Sequence, residues 1–254
     1  MMKSATANVE AYEFYLKAKH KYAKRENTDG TEIARGLLNK AIELDGNLIS
    51  AKVLLGWTYC EMGDYDEAME IYTPALKQAE ELGDKRGMGL SLNSIGIVHA
   101  SKGDYDKALD YLGGALAIKE ELGNKQGIGG SLNNIGLAYS YKGYYDTALD
   151  YLGGALAIKE ELGDKRGMGL SLGNIGIVHY YKGYYDTALD YLGGALAIKE
   201  ELGDKGEMGY SFNSIGVVHA DKGDYEKATK YLEKSLAIHK EIGLKGLELE
   251  TTTY

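Results

Sequence analysis

Residues 141–163 read YKGYYDTALDYLGGALAIKEELG, and residues 181–203 repeat them letter for letter, 40 residues further on. Looser copies start at Ser101 (SKGDYDKALDYLGGALAIKEELG) and at Asp221 (DKGDYEKATKYLEKSLAIHKEIG). A fixed period of this size marks an array in which each unit buries its apolar face against its neighbours. Such arrays present surface and seldom carry catalytic chemistry.

One unit, residues 84–123, reads DKRGMGLSLNSIGIVHASKGDYDKALDYLGGALAIKEELG. Leu92, Ile95, Gly96 and His99 fall on one face of a helix. Asp84 stands where an N-cap is wanted, and Lys102-Gly103 ends the helix. Asp104 is expected to cap a second helix whose stripe is Ala108, Leu112, Ala115 and Ile118. Gly123 closes it in the position after the C-cap. The unit is a helical hairpin. Gly96, Gly136, Gly176 and Gly216 share one slot in the first helix, and Ala108, Ala148, Ala188 and Ala228 share one in the second, so the two axes can approach closely.

The bulk numbers bound the function. The 254 residues carry a net charge of −9, which repels phosphate backbones and argues against nucleic acid. The lone Cys60 excludes an intramolecular disulfide and fits a reducing compartment. The opening MMKSATANVEAYEFY lacks a signal-peptide core, and no apolar run reaches a membrane span. The expectation is a cytoplasmic protein with no membrane segment. The 35 glycines against one proline recur inside helical patterns, so they do not signal disorder.

The run Gly56, Tyr59, Gly63-Asp64-Tyr65, Ala68, Ala75, followed by Gly96, His99, Gly103-Asp104-Tyr105, Ala108, Ala115, resembles the tetratricopeptide repeat. It recurs through Gly136, Gly176 and Gly216. The period of 40 residues resembles the long-repeat subclass found in spindle-orientation adaptors, kinesin light chains and bacterial regulators. The resemblance implies an all-α, right-handed superhelical solenoid of antiparallel helix hairpins, with residues 1–254 as one array. Hairpins are expected at about 9–44, 48–82, 84–123, 124–163, 164–203 and 204–243, the first with Ala34, Leu38, Ala41 and Leu44 as its second-helix stripe. Residues 244–254 read as a partial capping helix. The opening is similar to repeat regions attached to bacterial nucleotide cyclases, so a sensory or regulatory arm of a larger signalling enzyme or transcription regulator is the alternative to a free-standing scaffold. An engineered array, an excerpt of a longer one and recently duplicated DNA all fit the near-identical copies.

The resemblance places the first helices along a concave groove that binds peptides. The groove positions are Asn93 and Ile97, then Asn133, Asn134, Leu137 and Tyr141, then Asn174, Ile177 and Tyr181, and Asn213. Asparagine amides donate to and accept from an extended backbone, and tyrosine adds rigid area with a polar tip. A solvated helix face is the plainer alternative. The slots at which chaperone-binding members clamp a terminal carboxylate hold Val53, Leu90, Asn93, Ile97 and Trp57, so no cationic clamp is expected.

On the second helices Gly113-Gly114, Gly153-Gly154 and Gly193-Gly194 fall mid-helix, where each glycine costs about 1 kcal/mol against alanine. Tyr144 and Tyr184 replace the capping aspartate, and Thr147 and Thr187 replace Lys107. Residues Tyr144, Thr147, Tyr151 and Gly154 share one helical stripe, as do Tyr184, Thr187, Tyr191 and Gly194. Such matched losses suggest a covered surface, with a second copy of the chain as the partner and a homo-oligomer as the result. Duplication without function and a small-molecule groove are the competing readings.

No acid, base, nucleophile or metal set converges, so the chain is read as a non-enzymatic protein- or peptide-binding scaffold with no cofactor and no metal. His99, His179 and His219 occupy the aromatic slot of successive first helices and are assigned to packing. Gly87-Met88-Gly89 and Gly127-Ile128-Gly129 lack the preceding strand and the following Lys-Ser of a phosphate loop. The Lys-Glu-Glu runs at 119–121, 159–161 and 199–201 are read as solvated helix faces. Pro74 falls inside a helix and is expected to kink it.

Overall fold

The computed structural model describes residues 8–23 and 28–242. The described residues form twelve α-helices and no strand, so the all-α expectation holds. Two compact units divide the chain, residues 1–127 and 128–254. The first holds α1 (Val9–Ala23), α2 (Thr28–Leu44), α3 (Ile49–Cys60), α4 (Tyr65–Leu82), α5 (Lys85–Ser101) and α6 (Tyr105–Glu121). The second holds nearly all of α7 (Lys125–Tyr141), then α8 (Tyr145–Glu161), α9 (Lys165–Tyr181), α10 (Tyr185–Leu202), α11 (Lys205–Asp221) and α12 (Tyr225–Glu241). The expected capping helix at 244–254 lies outside the described residues.

The hairpins form for local reasons. The Asp84 carboxylate accepts from the Gly87 amide and starts α5, satisfying one of the donors that a helix N-terminus leaves open. Gly103 has φ +79° and Gly123 has φ +61°, left-handed conformations that reverse the chain after each helix and that glycine adopts without strain. Asp104 does not do what its position suggests. It makes no side-chain cap bond to α6; its carboxylate pairs instead with Lys107 at 2.8 Å and faces His99 at 3.5 Å. The tyrosines that replace it, Tyr144 and Tyr184, therefore forfeit less than a lost cap. Pro74 lies inside α4, which runs from Tyr65 to Leu82.

Packing follows the small-residue slots. A Cβ on Gly136 would come within 2.7 Å of Leu152 Cγ and 3.2 Å of the Ala148 carbonyl. The same glycine-to-leucine contact recurs at Gly96 with Leu112 and at Gly176 with Leu192, so the glycine lets the leucine of its own hairpin seat fully. Successive hairpins then join through one motif. Ile175 and Val178 of α9 pack on Ala148 and Leu152 of α8, and Ile215 and Val218 of α11 pack on Ala188 and Leu192 of α10. In the first unit Ile95 and Val98 meet Ala68 and Tyr72. Burying one such leucine contributes about 1.5–3 kcal/mol.

Exposed ion pairs mark the same joints. Lys102 reaches back to Asp66, Lys182 to Asp146 and Lys222 to Asp186, each to the preceding hairpin. Exposed pairs add little stability singly, but their spacing repeats the register of the helices.

Candidate functional site

The first helices of neighbouring hairpins α9 and α11 touch directly. Between them lies a pocket of about 180 Å³ lined by Ile177, Tyr180 and Tyr181 of α9, Leu192 of α10, and Asn213, Ser214, Val217 and Val218 of α11. Three of the expected groove positions, Ile177, Tyr181 and Asn213, therefore converge on one cavity. Its floor is apolar and its rim carries hydroxyls and an amide, the composition of a small recognition pocket. Tyr180, which the sequence reading had not singled out, donates its hydroxyl to Asp221 Oδ2 at 2.5 Å. That bond, with burial, pushes the Tyr180 phenol up and keeps it neutral. Tyr181 stacks on Tyr145 with ring centroids 6.2 Å apart, yet stays 53% exposed.

The expected asparagine row is not uniform. Asn133 is only 3% exposed. Its Oδ1 accepts from Asn174 Nδ2 at 3.1 Å and from Ser171 Oγ at 3.4 Å, so it braces α7 against α9. Asn174, Asn213 and Asn134 are half-buried. Asn93 Oδ1 accepts from the Lys119 ammonium at 3.2 Å. Ile97 and Leu137 are half-buried, and Tyr141 is 59% exposed.

The Lys-Glu-Glu runs are not solvated faces throughout. Their glutamates are exposed, but Lys119, Lys159 and Lys199 are 9%, 6% and 9% exposed. Lys159 donates to Ser171 Oγ at 3.0 Å and Lys199 to Ser211 Oγ at 2.9 Å. Lys199 also pairs with Glu207 at 3.1 Å. Burial pushes the Lys119 ammonium down to about 8 and lowers Lys159 as well. Glycines near the start of α7 and α9 explain how the Lys119 and Lys159 stems fit. A Cβ on Gly167 would lie 2.7 Å from Lys159 Cδ, and one on Gly127 3.0 Å from Lys119 Cδ. The signal that could have found Lys119 and Lys159 was their recurrence 40 residues apart opposite Gly127 and Gly167.

The second-helix stripe is only partly free. Tyr151 stacks on Tyr139 at 5.4 Å, and Tyr191 on His179 at 5.4 Å. Both rings are half-buried within their own hairpins. His99 with Tyr111 and His219 with Tyr231 repeat the stack, so the histidines pack as expected. Tyr144 and Tyr184 are each 56% exposed, with the Lys142 and Lys182 ammonium groups 5.3 Å from their ring centres. Thr147 is half-buried and Thr187 exposed. A Cβ on Gly113, Gly153 or Gly193 would meet nothing within 4 Å, whereas one on Gly114, Gly154 or Gly194 would touch Leu92, Leu132 or Leu172 at 3.6–3.8 Å.

Among the described residues no group of histidine, cysteine and carboxylate side chains is placed to hold a metal ion, and no helix is long and apolar enough to cross a membrane. Cys60 is buried, and burial pushes its thiol up, away from a reactive thiolate.

The family model of the tetratricopeptide repeat matches residues 47–121, 127–201 and 168–241. The chain belongs to the tetratricopeptide repeat family. No curated protein sequence matches it. Among solved structures, BtubC (BKLC) from P. vanneervenii superposes with a TM-score of 0.66 at 22% identity, covering 93% of each chain. The apo form of RapI gives 0.73 at 16% identity, covering 94% of this chain and 86% of its own. A Rap protein complexed with competence and sporulation factor gives 0.69 at 16% identity, over 94% and 77%. At these identities the likeness is one of fold.

Proposed function

We propose that the chain is a non-catalytic interaction scaffold that holds an extended peptide of a partner protein along its first helices, with the pocket between α9 and α11 as the anchor. The observation that carries this reading is the convergence of Ile177, Tyr181 and Asn213 on one cavity with an apolar floor and a polar rim. Its volume suits one aliphatic or aromatic side chain. Asn174, Asn134 and Tyr141 supply polar groups for the flanking peptide backbone. The solved Rap protein in complex with competence and sporulation factor supports binding by this fold. The reading takes the six hairpins as parts of one scaffold acting in the cytoplasm, without nucleic acid, cofactor or a terminal-carboxylate clamp.

The test is selection of peptides from a random library on the full chain, followed by titration against Val217→Lys. The variant places a charge in the cavity and is expected to weaken binding by about tenfold or more, the scale of a lost anchor. Peptides that bind the variant as well as the original chain would remove the pocket from the site.

Self-association through the second helices is a separate reading. It is favoured by the open space beyond Gly113, Gly153 and Gly193 and by the exposed Tyr144 and Tyr184. Sedimentation is the measurement, and Gly154→Lys with Gly194→Glu is expected to dissociate the assembly. A monomer at every concentration sinks this reading.

A further inference from the structure

Trp57 of α3 and Val217 of α11 fill the same slot of a first helix, four repeat periods apart, and an acidic residue stands four positions after each, Glu61 and Asp221. Both carboxylates accept a tyrosine hydroxyl from the preceding hairpin. Glu61 Oε2 accepts from Tyr22 of α1, and Asp221 Oδ2 from Tyr180 of α9 at 2.5 Å. The second oxygen differs. Glu61 Oε1 accepts from the Trp57 indole Nε1 at 3.1 Å. Valine has no donor, and among the described residues nothing donates to Asp221 Oδ1. The smaller Val217 instead lines the pocket of about 180 Å³ between α9 and α11. That pocket is reached from solvent. In its lining Tyr181 is 53% exposed, and Ile177, Asn213 and Val217 are half-buried. Asp221, one helical turn beyond Val217 and bonded to the pocket residue Tyr180, is an exposed rim residue.

We propose that this pocket is a subsite for a tryptophan side chain of the bound peptide, with the indole on the apolar floor and its N–H donating to Asp221 Oδ1. The ligand ring supplies from outside what Trp57 supplies from within in the second hairpin. The chemistry of the pocket selects indole over other side chains. An ion pair between lysine or arginine and an exposed carboxylate contributes little, and it leaves the floor of Ile177, Leu192 and Val218 poorly filled. Phenylalanine fills the floor but brings no donor. Indole combines a large apolar body with a polar atom that only donates, so no lone pair is set against the carboxylate.

This inference rests on the peptide-binding reading, and the experiment separates the two. Random dodecapeptides are selected on the full chain, and a fixed tryptophan is expected among them. Replacing it with 1-methyltryptophan keeps the ring and removes the N–H. Binding should weaken about tenfold, as for one hydrogen bond to a charged group, and on Asp221→Ala the two peptides should bind alike. Val217→Trp copies the Trp57–Glu61 arrangement, fills the pocket from within and should abolish the preference. Peptides that compete for the pocket, yet carry no fixed tryptophan or bind equally after methylation, overturn the subsite and leave the groove standing. If no peptide is selected, the groove reading falls and the subsite is decided alone, by crystals soaked with N-acetyl-tryptophanamide. An indole in the pocket with its nitrogen within hydrogen-bond distance of Asp221 upholds the subsite; an indole elsewhere, or none, overturns it.

Discussion

The Lys159 ammonium of α8 donates to the Ser171 hydroxyl of α9 at 3.0 Å, from one hairpin into the next. Lys199 and Ser211 repeat the bond. Two periods before Lys159 the position holds Ala79, and Ser91 of the following helix is buried with no hydrogen-bond partner among the described residues. The serine is thus the receiving half of a joint whose donor is missing in the second hairpin.

Opposite effects are expected from one chemical change at two equivalent serines. Ser171→Ala strips a buried ammonium of its acceptor and should cost about 1–3 kcal/mol. Ser91→Ala removes an unsatisfied buried hydroxyl and should be neutral or stabilising by up to about 1 kcal/mol. Denaturant unfolding of the two variants checks the contrast.

Lys119 makes stability depend on alkaline pH. Burial lowers its folded value to about 8 from an ordinary 10.5. Below pH 8 both folded and unfolded chains carry the charge, and the folded state bears the desolvation cost. Between pH 8 and 10.5 the folded lysine is neutral while the unfolded one still binds its proton, so this group's contribution rises with pH, by at most about 1.4 kcal/mol per unit. Lys119→Met should be ahead of the original chain at pH 7 and lose that lead by pH 10.5. A constant gap across the range would remove the buried charge as its cause.

The histidine stacks respond to acid. Burial, then the Lys182 charge, holds His179 below 6.5, and burial does the same to His219. At neutral pH both states are unprotonated. As pH falls below 6.5 the unfolded chain takes up protons first, so stability drops. Tyrosine already fills the same slot at 139, stacked on Tyr151. His179→Tyr with His219→Tyr should therefore fold and lose less stability between pH 7 and pH 5, as read by thermal unfolding at the two values.

The glycines divide into two sets. Gly153→Ala and Gly193→Ala add a methyl group where nothing lies within 4 Å, and each should stabilise by about 1 kcal/mol. Gly136→Ala drives a methyl into Leu152 at 2.7 Å and should destabilise by about 1–3 kcal/mol. Chemical denaturation of the single variants measures both signs.

The helices and their pairing were legible because the apolar stripe, the Asp84 cap and the turn glycines all point the same way. The lysines were not. Lys-Glu-Glu reads as three polar residues on a wet face, and only the facing Gly127 and Gly167, which leave room for a lysine stem, reveal that the first member turns inward. Of these, Gly127 was visible but read as part of a failed phosphate loop. The pocket was half legible: Ile177, Tyr181 and Asn213 follow from helical spacing, whereas Tyr180 enters through its bond to Asp221 across the joint. The stacking of Tyr151 and Tyr191 inside their own hairpins was not legible, because partners on another helix cannot be read from a one-dimensional stripe.

The second, fourth and fifth hairpins each offer an aspartate to the next, and the successor returns a lysine, as Lys102 does to Asp66, Lys182 to Asp146 and Lys222 to Asp186. Excising residues 164–203 would bring Lys222 opposite Asp146, charge to charge, with no scar at the seam. Recombination between identical tracts of DNA yields such length variants, and this chemistry accepts them, so the number of units can drift in evolution while the edges remain compatible.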